Sequence, residues 1–324
     1  MSGTDHTGRR ATSADVARES GVSRATVSYV LNDTPNKQIS LKTRELVIET
    51  ARRLGHVPNP QAKALKTGSS NIVLCIVPAL TLGFVFDRSL DSLTRELGSR
   101  GFTLLVHRAA DRLDAPTVRD LWAYLTPKLV VTIGGLPPSE TELLERHAPA
   151  AVVSDYGIVE HHRIGRLQAE HLISTGHRSL GYVMPADPAL RAYALDRLAG
   201  VREACADALI AAPEVATVHD DLQSSRAAVA HLRNAGVTGA CCHNDDVALM
   251  ILEALRASGG AAPQDLAVIG SDDVPLAQLE LTTVALLADA VAARITKRVL
   301  DRLGVADEPH EAGEILRLVR RTSA

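Results

Sequence analysis

The stretch Thr12 to Leu31, TSADVARESGVSRATVSYVL, leaves room for one local structure, two short helices joined by a tight glycine turn. Thr12 followed three residues later by Asp15 is a capping box, so a helix starts at Ser13. Val16 and Ala17 face inward, Arg18 and Glu19 stay in water, and Ser20-Gly21 ends the helix because glycine takes the left-handed conformation cheaply. Val22 fills the corner, and Ser23 caps a second helix from Arg24 to Leu31. There Ala25, Val27, Val30 and Leu31 alternate with the polar Arg24, Thr26, Ser28 and Tyr29. Helices this short are marginal alone and need a third to make a core. Ser40 to Gly55 supplies it, with Ser40 as cap, a stripe of Leu41, Val47, Ile48, Ala51 and Leu54, and Arg52-Arg53 at the negative end of the helix dipole. Apolar spacing alone allows an ordinary three-helix bundle. The turn signature instead points to a helix-turn-helix, whose second helix enters the DNA major groove.

Charge separates the ends of the chain. Residues 1–68 hold eleven Lys and Arg against six carboxylates, net +5, while the remainder holds 24 basic and 32 acidic groups, net −8, for a total of −3. A basic head on an acidic body is the footprint expected when only the head meets phosphates. Pro58-Asn59-Pro60 then breaks the third helix, and Pro60 suits the first turn of a new one, Gln61 to Lys66, too short to persist in free solution. Thr67 to Ser70 reads as linker.

The patterns Asp15-Val16-Ala17, Gly21-Val22-Ser23, Thr26-Val27-Ser28, Leu31-Asn32, Thr43-Arg44-Glu45 and Leu54 to Asn59 (LGHVPN) resemble the lactose-repressor (LacI/GalR) family of bacterial transcriptional regulators. The resemblance implies backbone phosphate contacts for Ser23, Thr26, Ser28 and Asn32, and base-edge contacts for Arg24, Ala25 and Tyr29. It also implies that the hinge helix forms when two subunits sit on one operator, with Ala62 and Leu65 entering the minor groove. Leu65 is then a wedge that unstacks a base step, at a cost of a few kcal/mol which new contacts offset. Asn59 and Lys66 complete the DNA-contacting set. The other reading of Leu65 is a side chain packed on the body. Two departures from the pattern stand out: Tyr29 occupies a position where arginine is frequent, and the loop Asp33 to Ile39 is about two residues longer than usual.

From Asn71 short apolar runs alternate with amphipathic stretches. Ile72 to Val77, Thr103 to Val106, Leu129 to Ile133, Ala151 to Val153, Leu180 to Val183, Ala240 to Cys242 and Ala267 to Ile269 read as buried strands. Asp87 to Ser99, Arg166 to Ser174, Leu195 to Ala208, Ser224 to Asn234 and Val247 to Ala257 read as helices. This alternation predicts parallel sheets with helices on both faces, and ligands at the carboxyl ends of the strands. The resemblance continues through Gly176-His177-Arg178, Arg197 to Gly200, Asn244-Asp245, Gly270 to Asp273 and Leu281 to Val284. It implies a fold made of an all-α helix-turn-helix head with a hinge helix, joined to an α/β two-lobed, periplasmic-binding-protein-like body with parallel sheets. The expected division is a disordered arm at 1–11, the DNA-binding domain at 12–57, hinge helix and linker at 58–70, and an effector-binding and dimerisation body at 71–324. Within the body the N-lobe spans about 71–155 plus 284–310, and the C-lobe about 156–283 plus 311–324.

Arg197, Asn244 and Asp272 are the candidates for a cleft that takes a small effector, sugar or nucleoside-like, with Phe84 or Phe86 stacking on it. The alternative reading is that Asp272 and Asp273 serve only the turn and Arg197 only an inter-helix ion pair. With one Trp, five Tyr and three Phe, the chain is poor in the faces that sugars stack on. The function expected is a sequence-specific transcriptional repressor modulated by that effector; the alternative is a ligand-independent regulator or architectural DNA binder with a degenerate pocket. An enzyme is not expected. His161, His162, His171 and His177 form no metal motif, Cys75, Cys205, Cys241 and Cys242 lack zinc spacing, and no phosphate loop or nucleophile elbow occurs. No cofactor and no metal are therefore expected. The start MSGTDHTGRRA has no apolar signal region, so the expected location is cytoplasmic, away from membranes. The expected partners are palindromic double-stranded operator DNA, whose two half-sites call for a homodimer, and the small effector. The amphipathic helix Leu287 to Leu303 either supports that dimer or covers a core.

Leu65→Ala is expected to weaken binding to the specific operator far more than binding to random duplex, as read by fluorescence anisotropy on both; equal losses would remove the wedge assignment.

Overall fold

In the computed structural model, residues 11–31, 38–56, 70–77, 83–109, 113–133, 136, 138–147, 152–154, 159–305 and 313–324 are described. Contacts divide the chain into two units, 1–70 and 71–324.

In the first unit the capping box closes as its spacing demands. Thr12 Oγ1 accepts from the Asp15 amide at 3.4 Å, and the Asp15 carboxylate accepts from the Thr12 amide at 2.9 Å. Helix α1 runs Ser13–Ser20 and stops at Gly21, whose φ of 69° is left-handed. Helix α2 runs Arg24–Leu31, with Ser23 Oγ accepting from the Thr26 amide at 3.0 Å. Helix α3 runs Leu41–Arg53, with Ser40 Oγ accepting from the Thr43 amide at 3.2 Å. Val16, Ala17, Val27, Val30, Val47 and Ala51 form the core, and each fully buried valine contributes about 1.5–3 kcal/mol. Leu41 does not belong to it, being 78% exposed. At about 100° per residue it lies roughly 240° around the helix from Val47, and Thr50 takes the buried position instead. His56, from the LGH motif, ties the ends of the unit together: its ring bonds the Ala11 carbonyl at 2.8 Å and Ser13 Oγ at 3.4 Å. Arg53 adds an ion pair to Glu19 at 2.9 Å.

The arm before Ala11, the residue Asn32 and the hinge with Asn59, Ala62, Leu65 and Lys66 lie outside the described residues.

The second unit holds two sheets. Strands β1 (Ile72–Val77), β2 (Thr103–Arg108), β3 (Leu129–Thr132) and β4 (Val152–Ser154) pair in the order β2-β1-β3-β4, all parallel. The larger sheet has the order β10-β9-β8-β7-β5-β6, where β5 is Leu180–Pro185, β6 Glu214–Val218, β7 Gly239–Cys242, β8 Ala267–Ser271, β9 Thr282–Leu286 and β10 Leu316–Val319. Its pairs are parallel except β10 against β9. Residues 284–286, assigned from the sequence to the N-lobe, pair inside this larger sheet.

Helices α4 (Phe84–Ser99), α5 (Ala115–Leu125), α6 (Pro138–His147), α7 (His161–Ser174), α8 (Arg191–Asp207), α9 (Leu222–Asn234), α10 (Asp245–Ala257) and α11 (Ala288–Leu303) cover the sheets. Several start two to five residues earlier than their apolar stripes; on α9 and α10 the added first turn is capped from the preceding loop by Asp221 and Asn244. Strand β6 and helices α5 and α6 lack a strong apolar run and escaped the periodicity reading. Helix α11 places Val291, Ile295 and Val299 in the apolar cluster that holds Leu93 and Leu97 of α4, and buries Ala292 and Leu300 as well. Its apolar face is thus spent on its own core rather than left for a partner subunit. All four cysteines are buried and free.

One contact fixes the cleft wall. A Cβ on Gly165 of α7 would lie 1.9 Å from the Arg197 carbonyl oxygen, and a Cβ on Gly200 of α8 would lie 1.9 Å from the His162 carbonyl oxygen. The two helices therefore cross backbone to backbone at a reciprocal glycine pair. Gly200→Ala is expected to destabilise the folded chain by at least about 1–3 kcal/mol in urea unfolding. Gly98→Ala, in α4 where nothing lies within 4 Å of the added carbon, should stabilise by up to about 1 kcal/mol. Equal effects would refute the crossing.

Candidate effector cleft and DNA-reading helix

Burial of Val27 and Val30 turns the opposite face of α2 outward. Ser23, Arg24 and Ala25 are exposed, and Thr26, Ser28 and Tyr29 are half-buried. The Ser23 and Thr26 hydroxyls bond each other at 2.9 Å, which holds the first turn. Residues at the start of such a second helix are the ones that meet base edges and phosphates in helix-turn-helix complexes.

The second candidate site is a cavity of about 460 Å³ in the body. Its walls are built where strands end: Ile133 follows β3, Pro185 closes β5, His219 follows β6, His243 and Asn244 follow β7, Asp272 follows β8 and Leu286 closes β9. That is where parallel sheets bind ligands, because successive connections diverge there and leave a crevice.

Arg197 organises the polar wall. It is 5% exposed, so its charge must be matched locally. The guanidinium donates to the His243 carbonyl and to His161 Nδ1 at 3.3 Å, and stands 3.9 Å from Asp272 Oδ1. A guanidinium only donates, so His161 Nδ1 accepts and the ring carries its proton on Nε2. Burial first, and then the Arg197 charge, push the His161 pKa down to about 3. The ring stacks at a tilt on Tyr193, with centroids 4.6 Å apart. Burial with the charge of Arg197 also holds His243 well below the ordinary histidine value, and its Nδ1 lies 3.3 Å from the buried Tyr182 hydroxyl. Both imidazoles are therefore neutral at neutral pH.

The turn after β8 is strained. Asp272 and Asp273 have φ of 113° and 58°, a region that residues with a Cβ rarely adopt and that structures retain mainly at functional sites. Asp273 is held by Arg321 at 2.7 Å, whereas Asp272 turns to the cavity. Burial raises the Asp272 pKa to about 6 against the opposing pull of Arg197. Behind it lies fully buried Asp245, which accepts from Thr283 Oγ1 at 2.6 Å and from the Val274 amide at 2.9 Å. Gln168 donates to the Cys242 and Gly270 carbonyls, each at 2.8 Å, and so pins α7 to the ends of β7 and β8.

Of the sequence candidates, the cavity gathers Arg197, Asn244, Asp272 and Phe86. Asn244 has a second task, since its Oδ1 caps α10 through the Val247 amide at 3.0 Å. Phe84 does not line the cavity; it is 39% exposed, with Arg88 over its ring at 5.7 Å. The two positions lie roughly 200° apart on one helix, so a single face cannot serve both. His161, Asp187, Tyr193, His219, Asp220, His243 and Asp246 line the cavity although sequence reasoning did not select them for it. The signal available for several was their place directly after an apolar run. Among the described residues there is no His, Cys, Asp and Glu cluster of metal-binding type, and no helix long and apolar enough to cross a membrane.

Residues 12–59 match the family described as bacterial regulatory proteins, lacI family, and residues 169–324 match the periplasmic binding protein-like domain. The HTH-type transcriptional repressor PurR of Vibrio campbellii is 28% identical over 322 residues, covering 93% of this chain and 94% of that protein. PurR of Klebsiella pneumoniae is 29% identical over 340 residues, covering 97% and 96%. Among solved structures, the lac repressor dimer bound to operator and the anti-inducer ONPF superposes with a TM-score of 0.79 at 22% identity, covering 97% of this chain and 99% of that one. A regulator from Silicibacter pomeroyi superposes with a TM-score of 0.73 at 23% identity, covering 97% and 99%.

Burial pushes the Asp245 pKa up to about 7 from 3.8, with Asp272 adding repulsion and the Thr283 bond opposing it. The folded chain then holds this proton more tightly than the unfolded chain. From about pH 4 to 7 the group's contribution to stability falls as pH rises, and above 7 its cost is complete. Asp245→Asn, which can still accept from Val274 and donate to Thr283, is expected to gain on wild type across that window by on the order of 2–4 kcal/mol. Parallel unfolding free energies for the two proteins from pH 4 to 8 would refute it.

Proposed function

Because the chain belongs to the lacI family of bacterial regulatory proteins and is a DNA-binding transcription regulator rather than an enzyme, we propose that it is a repressor whose operator affinity is set by a small molecule held in the body cleft. The observation that carries this reading is the 460 Å³ cavity at the strand ends of both sheets, with the buried guanidinium of Arg197 at its wall. A ligand there touches residues of both sheets, so it binds one arrangement of the lobes better than another. Only that difference in affinity can shift the population of the DNA-binding state.

On the DNA side, Ser23, Thr26, Ser28 and Asn32 hold phosphates, Arg24, Ala25 and Tyr29 read base edges, and Asn59, Ala62, Leu65 and Lys66 belong to a hinge element in the minor groove. One such head binds too weakly for a genomic site, so two chains form a homodimer on a palindromic operator. The relative solved as a dimer on operator with an anti-inducer supports this arrangement. In the cleft, Asn244 and Asp272, on the wall that Arg197 organises, present polar groups to a small molecule, with Phe86 beside them. The Vibrio campbellii and Klebsiella pneumoniae relatives are named as repressors, which favours repression over activation.

Selection from random duplex DNA should return a two-fold symmetric site, and exchanging Arg24 and Ala25 should change its half-site consensus; an unchanged consensus would remove their base-reading role. A thermal-shift panel of sugars, nucleosides and small amines, followed by operator titration with each hit, tests the ligand arm. Operator affinity that no cleft ligand alters would identify a ligand-independent regulator.

A further inference from the structure

The walls of the cavity differ in chemistry. On one side stand Val85, Phe86, Ile133, Val159, Leu286 and Ile295, where the polar side chain is Ser89, and its hydroxyl already donates to the Val85 carbonyl at 2.9 Å and the Ala288 carbonyl at 3.2 Å. A polyol pressed on that wall would leave hydroxyls desolvated without partners, at about 1–3 kcal/mol each. On the other side, among Pro185, Leu190, Val247 and Met250, stand the carboxyl groups of Asp187, Asp220, Asp246 and Asp272. Among the described lining residues Arg197 is the sole Lys or Arg, and its three faces are taken by His243, His161 and Asp272. The two imidazoles beside it are neutral and add no positive charge.

The carboxyl groups also repel one another. Burial and then Asp220 raise the Asp246 pKa, while Asp246 adds to the upward shift that burial imposes on Asp272. Asp187 is turned partly inward to its own chain, accepting from the Ala189 amide at 2.8 Å. Asp220, Asp246 and Asp272 thus form an acidic wall facing an aliphatic one across a space that suits a small organic molecule.

We propose that the effector is an amphipathic organic cation, whose ammonium group sits among Asp220, Asp246 and Asp272 and whose apolar body lies on Phe86, Ile133 and Ile295. The inference rests on the reading of this cleft as the effector site. An incoming cation relieves the repulsion among the acids, and the apolar wall rewards a hydrocarbon body instead of a ring of hydroxyls.

Calorimetric titration of the full chain with phenethylamine and 2-(1-naphthyl)ethylamine, against the corresponding alcohols, glucose and adenosine, tests this. The amines should bind about tenfold or more tightly than the alcohols, as expected for a charge-assisted hydrogen bond. That preference should collapse in Asp246→Asn and Asp220→Asn, survive in Asp246→Glu, and be unchanged in Asp120→Asn, which lies on α5 outside the cavity lining. Circular dichroism of each variant serves as the check that it is folded. Alcohols that bind as tightly as amines, a preference that persists in both asparagine variants, or no amine binding at millimolar concentration would overturn the proposal. If glucose, adenosine or an alcohol binds and alters operator affinity while the amines do not, the cation falls and the effector cleft stands. If no probe binds and operator affinity responds to none, both fall.

Discussion

A guanidinium can be buried only where acceptors wait for it, and the cleft side of the body is arranged around that constraint at Arg197. Its position comes from the reciprocal glycine crossing of α7 and α8, which brings His161 within hydrogen-bond reach on the neighbouring helix. Its remaining partners come from turns after two strands, the His243 carbonyl after β7 and Asp272 after β8. One buried charge thus ties two helices to two strand ends. Burial first, and then the same charge, keeps both imidazoles neutral, while the charge favours the ionised form of Asp272 against burial.

Stability and function compete in this wall. Asp245 and Asp272 are carboxyl groups that burial drives toward the protonated form, and the turn carrying Asp272 is strained at two successive residues. A core of hydrocarbon would be cheaper. Costs of this kind concentrate where a molecule must be recognised, because a group that solvent has not satisfied gains most from a ligand that satisfies it. The aliphatic wall opposite carries no such cost, and the difference between the walls shapes what the cleft accepts.

How far the chain could be read in advance depended on the range of the interactions. Thr12 with Asp15, Ser23 with Thr26 and Ser40 with Thr43 act over three residues, so caps and helices of the head were legible from spacing alone. Leu41 was misassigned because a stripe drawn by residue type ignored its phase on the helix. In the body the central buried strands announced themselves, whereas β2, read as buried, is an edge strand with Val106 45% exposed, and β6 and helices α5 and α6 gave no signal. Arg197, Asn244 and Asp272 lie in segments that match a family pattern, and they line one cavity together with Phe86 of the Phe84 or Phe86 pair. Phe84 and Phe86 could be separated only once the start of α4 was known.

The sequence by itself determined the local rules: where helices begin and stop, which runs are buried strands, and which short segment is built like a DNA-reading head. Those follow from backbone and side-chain physics within a few residues. Tertiary structure decided the cleft. It brought Asp220, Asp246 and Asp272 to one wall and apolar residues of other elements to the facing one, and it gave His161 and His243 their neutral state. Desolvation and charge proximity exist only between groups that the fold makes neighbours, so no spacing along the chain could encode them visibly.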